Sequence, residues 1–280
     1  MHFIYHIVQL KEILIRTVSG IVFLIIVIGS ILIHPVAFLM VFGGFTFIGL
    51  KEYFKLTKVS GKILQNTYVL IGLVLYFLIG LIGLAKVDVI FSLLILLLFP
   101  IIIAFELYSK KHDWSRTGSV LTGYFYVAIP FGLMNSFFLL NHDGIYSIYL
   151  LLSFFVVVWC NDIFAYLLGS FFGKHKLFER ISPKKTWEGS AGGLLFALLA
   201  AYILSFIFKQ LQLSFIEWMF FAVIVVIAAT IGDLSESMLK RNAGVKDSGK
   251  LMPGHGGVLD RFDAILYATP FVFIYIKFLL

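Results

Sequence analysis

Nine runs of apolar residues, at about 18–33, 36–50, 66–85, 89–105, 119–140, 146–173, 188–208, 215–232 and 264–280, leave this chain few ways to fold. About 20 apolar residues in a helix cross a ~30 Å hydrocarbon layer, where every backbone N–H and C=O must find a partner within the protein. The predicted fold is therefore an all-α polytopic integral membrane protein with about nine transmembrane helices. Composition agrees, since 61% hydrophobic and 13% charged residues with a mean hydropathy of +1.02 exclude an ordinary soluble protein. The formal charge of +7, carried by so few charged residues, suits the surface of an anionic leaflet rather than nucleic acid. Cys160 is the single cysteine, which rules out a disulfide framework and reads as a small core residue. The first run lacks an A-x-A-like exit and is followed by further spans, so it reads as a span and not as a signal peptide.

The first two runs are short, but joined as one helix of 33 residues they would reach roughly 50 Å. His34-Pro35 breaks them, because proline disfavours helix in the residue before it. Two short crossings and a re-entrant hairpin both remain open, and both return Lys51 to the starting side. Counted in alternate loops, 19 of the 22 Lys and Arg, Lys11, Lys110 and Lys111 among them, fall on one side. Only Lys86, Lys209 and Lys277 fall on the other. The positive-inside rule then places the N-terminus and the 174–187 and 233–263 loops in the cytoplasm.

Three polar stretches interrupt the apolar pattern. In GKHKLFERISPKKTWEGS, Ser182-Pro183 looks like an N-cap with proline at the first helical position, which predicts Lys184, Lys185 and Thr186 in a first helical turn. Free N–H groups and two ammonium groups there would make a phosphate site; the other reading is a set of topology-setting lysines. In the sixth run Asp162 lies 11 residues before Gly173, roughly 16 Å below it, and shares a helical face with Tyr166, Gly169 and Gly173. A carboxylate at that depth belongs in a polar cavity and implies function, while the glycines also suit close helix packing. The longest stretch, GDLSESMLKRNAGVKDSGKLMPGHGGVLDRFD, begins where the eighth run ends, so that helix is expected to continue outward. Asp233 and Glu236 then share one face with Lys240, and Asp260 and Asp263 share a face of the next helix, with PGHGG folding the segment back. Two such pairs can share a hard cation such as Mg²⁺, whereas a single His and no Cys in the loop disfavour zinc. A solvated, salt-bridged loop is the other reading of these charges.

The stretch ending at Asp263 resembles the signature of the phosphatidate cytidylyltransferase (CDP-diacylglycerol synthase) family. SPKKTWEG at 182–189 and WCNDIFAYLLG at 159–169 resemble that family's two other characteristic stretches, in the same order. Ala264 departs from it, standing where many relatives have Ser. The resemblance implies an enzyme of phospholipid biosynthesis that joins CTP and phosphatidate into CDP-diacylglycerol and pyrophosphate, with Mg²⁺ and a monovalent cation such as K⁺. It also implies the inner (plasma) membrane, an active site facing the cytoplasm, and a homodimer as the assembly. Carried over residue by residue, Asp233 and Asp260 would bind metal, and Asp162, Asp263 and Lys240 would complete the catalytic cavity. Substrate contacts would come from Ser182, Lys184, Lys185, Thr186 and Glu188, and from Arg241, Lys246, Asp247, His255, Gly256, Gly257 and Arg261. Residues 1–145 are then N-terminal transmembrane helices, and 146–280 a transmembrane catalytic region. The alternatives are a membrane phosphotransferase for another lipid or nucleotide, and a transporter of an anionic solute using Asp162. Transporters commonly show two related halves, whereas here the polar motifs crowd into the second half.

Overall fold

The computed structural model describes residues 2–59, 61–109, 113–140, 147–254 and 256–279, with the backbone alone for 2–13. Lys110, Lys111 and His255 lie outside the described residues, as does the side chain of Lys11. Among the described residues nine helical spans are long and apolar enough to cross a membrane. The chain is a multi-pass membrane protein.

The order begins with α1 (His2–Ile33), α2 (Pro35–Leu56) and α3 (Lys62–Gly83). The fourth span is a 3₁₀ segment, Val89–Leu97, running into α4 (Leu98–Leu107). The fifth joins α5 (Trp114–Gly123), a π turn at Tyr124–Ala128, α6 (Ile129–Met134) and a 3₁₀ turn at Asn135–Phe138. Then come α7 (Tyr149–Phe172), α8 (Trp187–Ile207), α9 (Phe215–Asn242) and α10 (Leu259–Leu279). Between α7 and α8 an antiparallel hairpin pairs β1 (Lys176–Phe178) with β2 (Ser182–Thr186).

His34-Pro35 is a full stop between two long helices. Pro35 takes the first helical position, where its missing N–H costs nothing, and the His34 Nδ1 accepts from Val36 N at 3.1 Å. The apolar part of α1 is 20 residues and α2 is 22, so each spans about 30 Å. Helix α9 starts on a capping box between Ser214 and Glu217 and runs 28 residues, carrying Asp233 to Arg241 beyond its apolar part, as its sequence predicts.

Glycines set how closely the polar ends approach. A Cβ on Gly189 of α8 would lie 2.6 Å from the Ala165 carbonyl of α7, and one on Gly232 of α9 would lie 2.6 Å from the Asp263 carbonyl of α10. These contacts bring α7 to α8, and α9 to α10, at the ends that bear the polar stretches. Helix α10 is anchored by Phe262, which is fully buried with its ring centroid 5.1 Å from those of Phe45 and Phe131 and 5.5 Å from that of Phe42. Asp260 and Asp263 flank that anchor and turn toward α7 and the hairpin. Outward apolar side chains such as Leu70, Val74 and Leu96 stay exposed, as a lipid-facing surface requires.

Gly232→Ala is expected to overpack the α9–α10 contact and cost about 1–3 kcal/mol. A lower melting temperature in detergent, with the helical circular dichroism retained, is the measurement that checks it.

Candidate active site

The first loop differs from its prediction. Ser182-Pro183 does not cap a helix; Ser182 begins strand β2, with Phe178 opposite Ser182 and Lys176 opposite Thr186. The helix begins at Trp187, and Thr186 is its N-cap, the Oγ1 accepting from Gly189 N at 3.2 Å. Lys184 and Lys185 therefore lie on extended chain before the helix and not in its first turn. The local cap preference of Ser-Pro loses to a set of closer ties. Trp187 N donates to the His175 carbonyl at 3.0 Å, and the Glu188 carboxylate accepts from Lys174 N at 3.1 Å and His175 N at 3.2 Å while meeting His175 Nδ1 at 2.5 Å. Glu188 thus closes the hairpin onto α8 and does not line the cavity beside it.

That cavity, of about 660 Å³, lies between α7, the hairpin, α8, α9 and α10. Asp162, Tyr166 and Gly169 line it from α7, while Gly173 packs against Thr186. Ser182, Lys184, Lys185 and Thr186 line it from β2, Asp233 from α9, and Asp260 and Asp263 from α10. Asn161, polar beside Asp162 in the same apolar run, also lines it, and sequence reasoning missed Ser170, Lys176, Ser190 and Thr230 on its wall. Lys176 comes into reach only through the hairpin, which no local signal announced. Lys185 Nζ meets Asp233 Oδ2 at 2.6 Å, with the two side chains 26% and 36% exposed. Asn161 donates to Asp162 Oδ1 at 3.2 Å, and its own Oδ1 is buried with no hydrogen-bond partner.

Asp260 is the most constrained of the carboxylates. Its Oδ1 accepts from Lys240 Nζ at 2.7 Å, and its Oδ2 accepts from Ser248 N at 2.8 Å, Ser248 Oγ at 2.8 Å and Gly257 N at 2.7 Å. Lys240 also pairs with Glu236, which is fully buried. The two expected acidic pairs are therefore not equivalent: Asp260 and Asp263 both reach the cavity, while Asp233 reaches it and Glu236 turns to Lys240. The PGHGG turn folds back as expected, through paired backbone bonds between Met252 and Gly256. Gly256 sits at φ +86°, and a Cβ there would fall 2.5 Å from Asp260 Oδ2. Arg241, Lys246, Asp247 and Arg261 are exposed and lie off the cavity wall. Arg241 donates to the Val245 carbonyl at 3.2 Å and so closes the end of α9.

One residue of the first half joins this region. Glu52 of α2 accepts from Ser248 Oγ at 3.1 Å, Val258 N at 3.1 Å and Leu259 N at 3.0 Å, and is only 8% exposed. Its signal was present in the sequence: Phe38, Phe42, Phe45, Gly49, Glu52 and Leu56 recur three and four apart on the buried seam of α2.

A family model described as "Cytidylyltransferase family" matches residues 14–279. The chain belongs to the cytidylyltransferase family. A phosphatidate cytidylyltransferase of Staphylococcus saprophyticus is 32% identical over 258 residues, covering 91% of this chain and 96% of that one. That of Bacillus subtilis is 34% identical over 192 residues, 68% of each chain. That of Haemophilus influenzae is 44% identical over 134 residues, 47% of this chain and 46% of that one.

Members of this family use a nucleoside triphosphate, which raises the question of a cation. Among the described residues no three His, Cys, Asp or Glu side chains form a group able to hold a metal ion on their own. Yet Asp162, Asp233, Asp260 and Asp263 line one cavity, an all-oxygen donor set that fits a hard cation whose shell is completed by substrate oxygens.

Lys176, Lys184 and Lys185 gather three positive charges on the hairpin side of the cavity, and with Mg²⁺ offsetting the four facing carboxylates they should bind a polyanion. Pyrophosphate in excess is expected to raise the melting temperature of the detergent-solubilised protein, since ligand at ~100 times its Kd stabilises by about 2.7 kcal/mol. The double variant Lys184→Gln, Lys185→Gln should lose most of that shift. An equal shift in both proteins would return the lysines to a topological role.

Proposed function

We propose that this protein transfers the cytidylyl group of CTP to phosphatidate, giving CDP-diacylglycerol and pyrophosphate. The observation that carries the reading is one cavity that gathers lysines 176, 184 and 185 with aspartates 162, 233, 260 and 263 at the ends of apolar helices. There a lipid headgroup and a water-soluble triphosphate can meet.

The phosphomonoester of phosphatidate, with a second pKa near ~6, is mostly dianionic near neutral pH and attacks the α-phosphorus without a protein base. A bond forms between its oxygen and that phosphorus, and the bond from the α-phosphorus to the bridging oxygen breaks, releasing pyrophosphate. Lys184, Lys185 and Lys176 neutralise the phosphates on the hairpin side. Asp233 and Asp260 would hold Mg²⁺, which supplies charge neutralisation on the triphosphate and the leaving group. Lys185 must then exchange its partner, releasing Asp233 as it takes a substrate phosphate. Asp260 stays fixed by its four donors, and Tyr166 with the Asn161–Asp162 pair bounds the opposite wall.

The Lys and Arg bias turns this end of the bundle toward the cytoplasm, where CTP is made. A cysteine placed at the exposed Lys246, in a Cys160→Ala background, is therefore expected to resist an impermeant maleimide added outside intact cells and to react after lysis. Labelling from outside would reverse the orientation.

For the chemistry, purified protein given radiolabelled CTP and phosphatidate should yield a labelled lipid. Asp233→Asn and Asp260→Asn keep the side-chain shape and lose the charge, so both should insert normally. Turnover should fall by several orders of magnitude, each ~1.4 kcal/mol of lost stabilisation being tenfold. Substantial activity in both folded variants, with unchanged Mg²⁺ dependence, would remove these two carboxylates from the site.

A further inference from the structure

The cavity leaves the best-satisfied carboxylate of the first half unexplained. Glu52 does not line it. Its oxygens are nonetheless fully engaged with the signature segment: Oε1 with Val258 N, and Oε2 with Leu259 N and Ser248 Oγ. The first N–H groups of a helix have no intrahelical acceptor, and an N-cap residue normally supplies one locally. At α10 the acceptor comes instead from α2, more than 200 residues earlier in the chain. A carboxylate there also favours the positive end of the helix dipole.

Ser248 extends the connection to the cavity. A hydroxyl has a single proton, and the Ser248 Oγ lies 3.1 Å from Glu52 Oε2 and 2.8 Å from Asp260 Oδ2, so two carboxylates share one donor. The Ser248 N–H adds a further bond to Asp260, at 2.8 Å. The loop is moulded around this acid. A Cβ on Gly249 or on Gly257 would collide with the Glu52 carboxylate, and neither glycine has the positive φ found at Gly254 and Gly256. Those two positions lack a side chain because Glu52 occupies the space.

We propose that Glu52 is a positioning residue for the transfer reaction: from α2 it holds Ser248 and the start of α10, and thereby fixes the Asp260 carboxylate in the cavity. This rests on the cytidylyltransferase reading for its kinetic consequence, but the clamp itself does not depend on it.

Glu52→Gln is the direct test, because the amide keeps the volume while one oxygen becomes an NH₂ that cannot accept, so whichever way it turns it loses either the bond from Val258 N or those from Leu259 N and Ser248. In monodisperse, folded protein, kcat should fall by about tenfold or more with KM for CTP changed by less than about threefold, the pattern of lost transition-state positioning. Limited trypsin digestion, read by mass spectrometry, should cleave after Lys246 and Lys250 several times faster than in wild type. Both changes are required, and a wild-type value for either overturns the proposal. Should Glu52→Gln fail to assemble, Ser248→Ala decides, since it removes only the shared hydroxyl. It should lower kcat several-fold, and unchanged turnover overturns the link. If wild-type protein makes no CDP-diacylglycerol, the reaction reading fails and the rate of trypsin cleavage alone judges the clamp.

Discussion

A carboxylate withdrawn from water must be met by donors, and Asp260 is met by four. Each piece of the segment between α9 and α10 contributes to that requirement. Lys240 comes from the end of α9, Ser248 from the loop and Gly257 from the turn. Lys240 in turn answers the buried Glu236, so two acids and one base form a unit that none of them can leave cheaply. The loop has little apolar surface to bury, and its conformation follows from where these charges need partners.

The site divides by exposure into a fixed part and a yielding part. Lys185 and Asp233 are each about a quarter to a third exposed, and ion pairs of that kind contribute only ~0–1 kcal/mol. The Lys240 side chain is 12% exposed and that of Asp260 5%, and breaking such a pair leaves an uncompensated charge. A phosphate entering the cavity, as the proposed reaction requires, would displace the first pair at small cost and leave the second standing. Flexibility and rigidity sit side by side on one cavity wall because Lys185 and Asp233 are part-exposed, whereas Lys240 and Asp260 are enclosed by their donors.

Much of this was legible in the residues. Span number, the break at His34-Pro35 and the outward run of α9 follow from apolar length, proline sterics and the absence of a stop before Asn242. Asp162 stood out because acids are rare in apolar surroundings, and Asp233, Asp260 and Asp263 because they belong to acidic pairs at helical spacing on either side of a tight turn. The hairpin did not, because its pairing depends on His175 and Glu188 reaching across the loop, while cap rules see only neighbours. Glu52 was hidden by its setting: beside Lys51, Lys55 and Lys58 it reads as one more interfacial charge, and only its place on the buried seam of α2 distinguishes it. Gly249 and Gly257 read as turn residues, yet their small size answers to an acid in another helix.

The cap that α2 supplies to α10 also bears on how the protein is made. A ribosome releases α2 long before α10, and N-terminal elements settle first. Until the last of these helices arrives, Glu52 sits at the end of a finished span with its acceptors unmet, and Phe42, Phe45 and Phe131 lack the ring that fills the space between them. The early helices therefore form an open seat, closed by a single late docking event that buries the Phe262 ring and satisfies Glu52 together. A nascent chain stalled before that step would be inserted in the membrane yet carry no assembled cavity, which makes the docking of α10 the step that builds the site.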